Sequence, residues 1–222
     1  MLLARAPAAG VAAVLERGRL LIGLPLIAVS VALSAFNAAR FAREVPVEEI
    51  MFGPTRSPAV TALLDAIGRD LTSVVLYLVQ ASWSALIIAT ALSPIWLWLL
   101  GSSAVHAAAR MTEARRPYLP MLIVFAYATA LTRLPADLVV AAVPARGPGS
   151  QLAQVAGLLA AIWLGWLAWH AIRRHYGVGG QRALSILFVA VVLFYLAPLV
   201  LIALAAISII VAAIVLEFFP EG

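Results

Sequence analysis

An all-α fold, a polytopic bundle of membrane-spanning helices, is what this sequence predicts, on three observations. Of 222 residues, 64% are hydrophobic and 11% are charged, and the mean hydropathy is +1.05. A water-soluble chain of this length needs far more polar surface. Apolar residues also run on in stretches that match a hydrocarbon core about 30 Å thick, which a helix rising 1.5 Å per residue crosses in roughly 20 residues. Finally, the charges gather in short segments between those stretches, and every cation among them is an arginine. No polar block is large enough to form a separate soluble domain.

The apolar residues of Met1 to Arg19 are scattered (Leu2, Leu3, Val11, Val14, Leu15) and never form the continuous core of a signal peptide. A short interfacial segment over residues 1–19 is expected instead. The first span is about Leu20 to Ala39, followed by a mixed-charge loop from Arg40 to Arg56. Ser57-Pro58 reads as a helix start, since serine caps and proline fits the first helical position. From there Val60, Leu63, Leu64, Ile67 and Leu71 share one face, an amphipathic lead-in over 58–70. The stretch Leu71 to Ala109 is overlong for one crossing. A break at Ser93-Pro94 would make two crossings, but no polar turn lies there to keep unpaired backbone out of lipid. One long helix, which Pro94 can kink, is the expectation. Arg110 to Pro117 is a short basic turn. Spans at about 118–143 and 151–172 follow, joined by the turn residues of Pro144 to Ser150. A second basic turn, Arg173 to Arg182, opens an overlong last span, about 183–216, with Pro198 inside it. The domain is thus 20–217, with about five spans of which two are overlong.

Orientation follows from where arginine accumulates. With five spans and the amino terminus inside, Arg5, Arg17, Arg19, Arg110, Arg115, Arg116, Arg173, Arg174 and Arg182 are cytoplasmic, against Arg40, Arg43, Arg56, Arg69 and Arg146 outside. A six-span count separates the charges no worse, and the missing polar turn at Pro94 favours five. Both counts put the two basic turns in the cytoplasm. Trp96, Trp98, Tyr118, Trp166, Trp169 and Tyr176 gather near that side and suit an aromatic belt. Arginine without lysine, with abundant alanine, suggests a GC-rich bacterial genome and hence a bacterial cytoplasmic membrane. Cysteine is absent, which excludes disulfides, thiolate metal sites and cysteine lipidation.

The chemistry-bearing residues are few. Arg133 and Asp137 lie four apart on one helix face inside the third span. Either charge alone in lipid costs roughly 2.5–3.5 kcal/mol, and pairing reduces that. The pair reads either as an intramembrane polar site lining a solute path or as an ion pair near the outer interface. His106 and His170 each precede a basic turn and His175 lies in one. No carboxylates stand at ligand spacing beside them, so hydrogen bonding is expected rather than a metal. The arginines Arg110, Arg115, Arg116, Arg173, Arg174 and Arg182 can grip lipid phosphates or an acidic partner, besides setting topology. The glycines at 177, 179 and 180 lack the strand and spacing of a phosphate loop. No nucleophile comes with a base and an orienting acid. No cofactor, catalytic residue or nucleic-acid partner is expected.

An internal duplication runs through the second half. Trp98-Leu99-Leu100, His106 through Arg110, a turn, Phe125-Ala126-Tyr127 and Pro135 are echoed by Trp163-Leu164-Gly165, His170 through Arg174, a turn, Phe194-Tyr195 and Pro198. This describes one helical hairpin used twice in the same orientation. The layout also resembles a known family. Gly101 to His106 closes the second span. Met121-Leu122-Ile123-Val124-Phe125-Ala126-Tyr127-Ala128 with Leu134-Pro135 marks the third. His175-Tyr176-Gly177-Val178-Gly179-Gly180-Gln181-Arg182-Ala183-Leu184 opens the last. In these motifs, over roughly Leu20 to Val215, the chain is similar to the Yip domain family of five-span membrane proteins. The resemblance implies a protein without an active site. Eukaryotic members associate with Rab-type GTPases and shape secretory membranes, an activity not expected here because no sizeable polar region precedes the first span.

The expected function is therefore non-enzymatic: binding of membrane-protein partners, of a second copy or of anionic lipid, as befits an accessory subunit of a membrane complex. Small-residue runs such as Ala104, Ala107, Ala108 and Ala203, Ala205, Ala206 suit close helix contact. The rival is a small transporter or permease subunit with Arg133 and Asp137 in its path.

Overall fold

The computed structural model describes residues 3, 6–45, 53, 57–67, 69–144, 149–196 and 199–200. Among them are eight helices and no strand. These are α1 (Pro7–Arg17), α2 (Leu20–Glu44), α3 (Pro58–Ile67), α4 (Arg69–Ala91), α5 (Ser93–Met111), α6 (Leu119–Ala142), α7 (Gly149–Tyr176) and α8 (Gly180–Leu196). Helices α2, α6, α7 and the Val74–Ala91 part of α4 are long and apolar enough to cross a membrane, and α8 is a shorter apolar helix. The chain is thus an all-α polytopic bundle. The remainder of the overlong last stretch, with Pro198, lies outside the described residues.

Helix α6 is the hub, packed against α1, α2, α5 and α7. Its buried face carries Met121, Val124, Phe125, Ala128, Thr132, Ala136 and Asp137. The core continues through Ala104, Val105, Ala108 and Ala109 of α5, Leu167, Ala168, Ala171 and Ile172 of α7, and Ala183, Ile186 and Ala190 of α8. Alanine dominates because lipid is as apolar as leucine. Helices in a membrane gain by close backbone approach and dispersion contact rather than by hiding large side chains from water. The bulky residues Val74, Tyr77, Leu158, Ile162 and Phe188 stand outward.

Helix α1 begins at Pro7 and lies against α6 and α7, with Gly10 and Val11 buried. It turns into α2 at Gly18. A Cβ there would sit 2.3 Å from the Val14 carbonyl oxygen and 2.9 Å from Ile123 Cγ2 of α6, so only glycine lets the turn touch the bundle. Helix α2 continues through Glu44, past the loop start expected at Arg40. Helix α3 opens with Ser57 Oγ accepting from the Val60 N–H at 3.3 Å.

The expected single helix over Leu71 to Ala109 is divided at Leu92, which has φ −88° and ψ 2°. Pro94 explains the interruption: it donates no hydrogen bond, its ring excludes the carbonyl four residues back, and it restricts Ser93. No exposed polar turn is needed. The Leu92 N–H still bonds the Ile88 carbonyl at 3.0 Å, and the Ile95 and Trp96 N–H groups bond the Leu92 carbonyl at 2.9 and 3.2 Å. Helix α4 rests on α2, where Phe41 and Trp83 rings lie 5.5 Å apart, and none of its span from Val74 to Ala91 is buried.

Candidate functional site

Two polar regions stand at opposite ends of the bundle. At one end α5 meets α6 and α7 meets α8. Both α5 and α7 close on a left-handed residue, Glu113 with φ 63° and Gly177 with φ 67°, each seven residues beyond a histidine (His106, His170). The two hairpins of the internal duplication therefore end their first helices in the same way. Around Glu113 the Glu113 N–H reaches the Arg110 carbonyl at 3.1 Å and the Ala114 N–H reaches the Ala109 carbonyl at 3.0 Å, a hydrogen-bonded C-terminal cap.

The hairpins are tied to each other at this end. His106 Nδ1 and the Tyr176 hydroxyl lie 2.9 Å apart. His175 Nε2 donates to the Pro117 carbonyl at 2.9 Å, and Arg182 Nη2 donates to the Thr112 carbonyl. The Tyr118 hydroxyl bridges Ser102 Oγ at 2.8 Å and Ser103 Oγ at 2.9 Å. Trp98 Nε1 donates to the Leu122 carbonyl and Trp169 Nε1 to the Gly180 carbonyl. These aromatic and imidazole groups give the turns one fixed arrangement.

On that frame Arg110, Arg115, Arg116, Arg173, Arg174 and Arg182 are all exposed. The second basic turn is shorter than its sequence suggested. Arg173 and Arg174 belong to the last turn of α7, as Arg110 does to that of α5, where cations complement the carbonyl end of a helix. The Arg173 guanidinium lies 4.6 Å from the Trp169 ring centre, and Arg174 Nη2 lies 3.7 Å from Glu16 of α1. Arg17 and Arg19 lie at the α1–α2 turn, and Glu16 and Glu113 are the acids nearby in the chain. Arg5 lies outside the described residues.

The opposite end holds Arg133 and Asp137. Arg133 Nη2 is 3.1 Å from Asp137 Oδ1, and the aspartate side chain is only 6% exposed. The arginine does not snorkel outward: Nη2 also donates to Ser93 Oγ at the α4–α5 break, 3.0 Å away. From α2, Ser34 Oγ donates to Asp137 Oδ2 at 2.7 Å and Asn37 Nδ2 to the Asp137 carbonyl at 2.8 Å. One turn on, the Arg40 guanidinium donates to the Val140, Ala141 and Val143 carbonyls, and its Nε faces Glu44 Oε1 at 3.2 Å. These are the carbonyls that the end of α6 leaves without intrahelical donors, so α2 caps α6 from the side.

Sequence reasoning found the pair but missed Ser34, Asn37, Arg40 and Ser93. A signal existed: Ser30, Ser34, Asn37 and Ala38 fall at helical spacing on an otherwise apolar span. Among the described residues no three His, Asp or Glu side chains converge as a metal site would require.

An all-α membrane bundle with alanine-rich seams and two parallel helical hairpins is the class of protein these features define. A family model, the Yip1 domain, matches residues 1–202, and the chain belongs to that family. No curated protein and no solved structure matches it.

Proposed function

We propose that this Yip1-domain protein is a non-enzymatic binding protein of a bacterial cytoplasmic membrane, and that its arginine end is where it binds. The observation that carries this reading is the fixing of both basic turns side by side by His175, Arg182 and the His106–Tyr176 contact, with six guanidinium groups left exposed. Anionic lipid is the favoured ligand. The arginines stand beside Trp169, Tyr118 and Tyr176, residue types that sit at headgroup depth. Each cation near an anionic surface contributes about 1 kcal/mol.

An acidic membrane-protein partner, which the complex would serve as an accessory subunit, engages the same groups. Transport through Arg133 and Asp137 has less support, because Ser34 and Ser93 already engage both members of the pair. The test is extraction from the native membrane in mild detergent, followed by mass and composition of the particle. Retained phosphatidylglycerol or cardiolipin, lost when the six arginines become glutamine, supports lipid binding. A co-purifying acidic subunit with the same dependence makes the protein an accessory component. A bare particle indifferent to the substitutions sinks both.

A further inference from the structure

A cavity of about 230 Å³ opens among α5, α6, α7 and α8. Its α7 wall is Gly157, Ala160, Ala161, Leu164, Gly165 and Ala168, one face at helical spacing. Small residues on a membrane helix ordinarily let a neighbour close in. Here they do not: a Cβ built on Gly157 or Gly165 meets nothing within 4 Å. The α7 lining runs from Gly157 to Ala168, eleven steps or roughly 16 Å of helix at 1.5 Å per residue, so the lining is elongated along the helix.

Every lining residue is apolar or small except Thr132, Arg133 and the tyrosine at 195, and Arg133 is the one charged residue. It stands at the end farther from the basic turns, with Gly157, Phe194 and Tyr195. Phe125, Val105 and Ala168 lie toward the other end. The Arg133 Nε is buried with no hydrogen-bond partner, while Nη2 is engaged by Asp137 and Ser93. A buried donor left unmade costs roughly 1–3 kcal/mol, and a small shift of the Arg133 side chain, itself 23% exposed, would let an acceptor-only oxygen in the cavity remove that cost. Because Asp137 offsets the charge, the recognition is of an acceptor oxygen beside hydrocarbon rather than of net anionic charge.

We propose that this cavity is a binding site for a single acyl chain, with its carboxyl or ester oxygen accepting from the Arg133 guanidinium. The site is separate from the arginine end and independent of the function proposed there. The occupant is a lipid chain because the walls are hydrocarbon, the lining is elongated and its one buried group without a partner is a donor.

The purified protein in detergent is irradiated with diazirine-bearing palmitic acid, and the labelled peptides are mapped. Parallel arms use a phosphatidylcholine with the same diazirine acyl chain and a diazirine hexadecane that lacks any oxygen. Label should concentrate on the α7 and α8 lining, be competed by unlabelled palmitate, and fall at least five-fold in Gly157→Leu and Gly165→Leu. A Cβ at either position meets nothing within 4 Å, and the variants should unfold like the parent. Lining label from palmitic acid identifies a free acid; from the phosphatidylcholine probe alone, a bilayer lipid. Three results would overturn the proposal: label spread evenly over the outward face of α4, label unchanged by the leucine variants, or equal label from hexadecane. Absence of lining label from every probe would also overturn it, and would point to the chain's own apolar residues after Val200 as the occupant.

Discussion

Arginine does opposite work at the two ends of this bundle. At the hairpin turns six arginines are exposed, and of these Arg182 also holds the Thr112 carbonyl. At the far end Arg40 and Arg133 are drawn inward, one onto three carbonyls of α6 and the other onto Asp137 and Ser93. The difference lies in what each end must satisfy. Helices α5 and α7 both close on a left-handed residue, at α5 with hydrogen bonds back to the Ala109 and Arg110 carbonyls, and their arginines stand at the surface. Helix α6 ends without such a cap at Val143 and takes its donors from α2. Substitution should therefore unfold the protein from one end and alter its binding from the other.

The largest effect is expected at Asp137. Asp137→Leu strands the Arg133 guanidinium and should cost about 3–5 kcal/mol, whereas Arg133→Met with Asp137→Leu should recover most of it. Reversible unfolding in mixed micelles of rising sodium dodecyl sulfate content gives both values. A double variant as unstable as the single would mean that the Ser34 bond to the carboxylate, not the ion pair, holds the helices. Next comes Arg40→Met, with an expected loss of about 1.5–3 kcal/mol from charge-assisted bonds. It should be accompanied by faster protease cleavage after Val143. Unchanged cleavage would argue that the carbonyls find other donors.

Smaller effects should divide the two hairpins. Gly177→Ala forces a side chain into the left-handed region and should destabilise by about 1–2 kcal/mol, while Glu113→Gly relieves the same strain and should stabilise by somewhat less. Opposite signs in one thermal-unfolding series would confirm that the caps are equivalent; equal signs would break the duplication as a structural statement. Smallest of all is the stability change on turning Arg110, Arg115, Arg116, Arg173 or Arg174 singly to glutamine, within about 0.5 kcal/mol each; Arg182, which donates to the Thr112 carbonyl, should cost more. A larger loss would show that the arginine end is built like the other.

What could be read beforehand follows from how far apart the interacting residues lie in the chain. Arg133 and Asp137 are four apart on one helix, and that spacing announces a pair. The basic turns stand out because charge is scarce in this sequence. Ser34, Asn37 and Arg40 have partners 100 to 103 residues away, and no local pattern specifies which helix will face them. The break at Leu92 is not legible in the sequence because no run of polar residues there marks a turn that could satisfy its backbone in lipid. The chain instead interrupts the helix while keeping its neighbouring hydrogen bonds. Glu113 was unreadable as a left-handed cap because that conformation favours glycine, which the sequence supplies only at the matching Gly177.

The reach of Arg40 across the bundle also has a consequence for biogenesis. Helix α2 leaves the ribosome with Ser34, Asn37 and Arg40 on one face, and their partners on α6 follow about 100 residues later, roughly 5–20 s at bacterial and eukaryotic synthesis rates. During that interval the Arg40 guanidinium, near the end of its span, has Glu44 of its own helix beside it but no helix to cap. The contacts that fix α2 against α6 therefore form late, as a paired event between two distant helices rather than helix by helix.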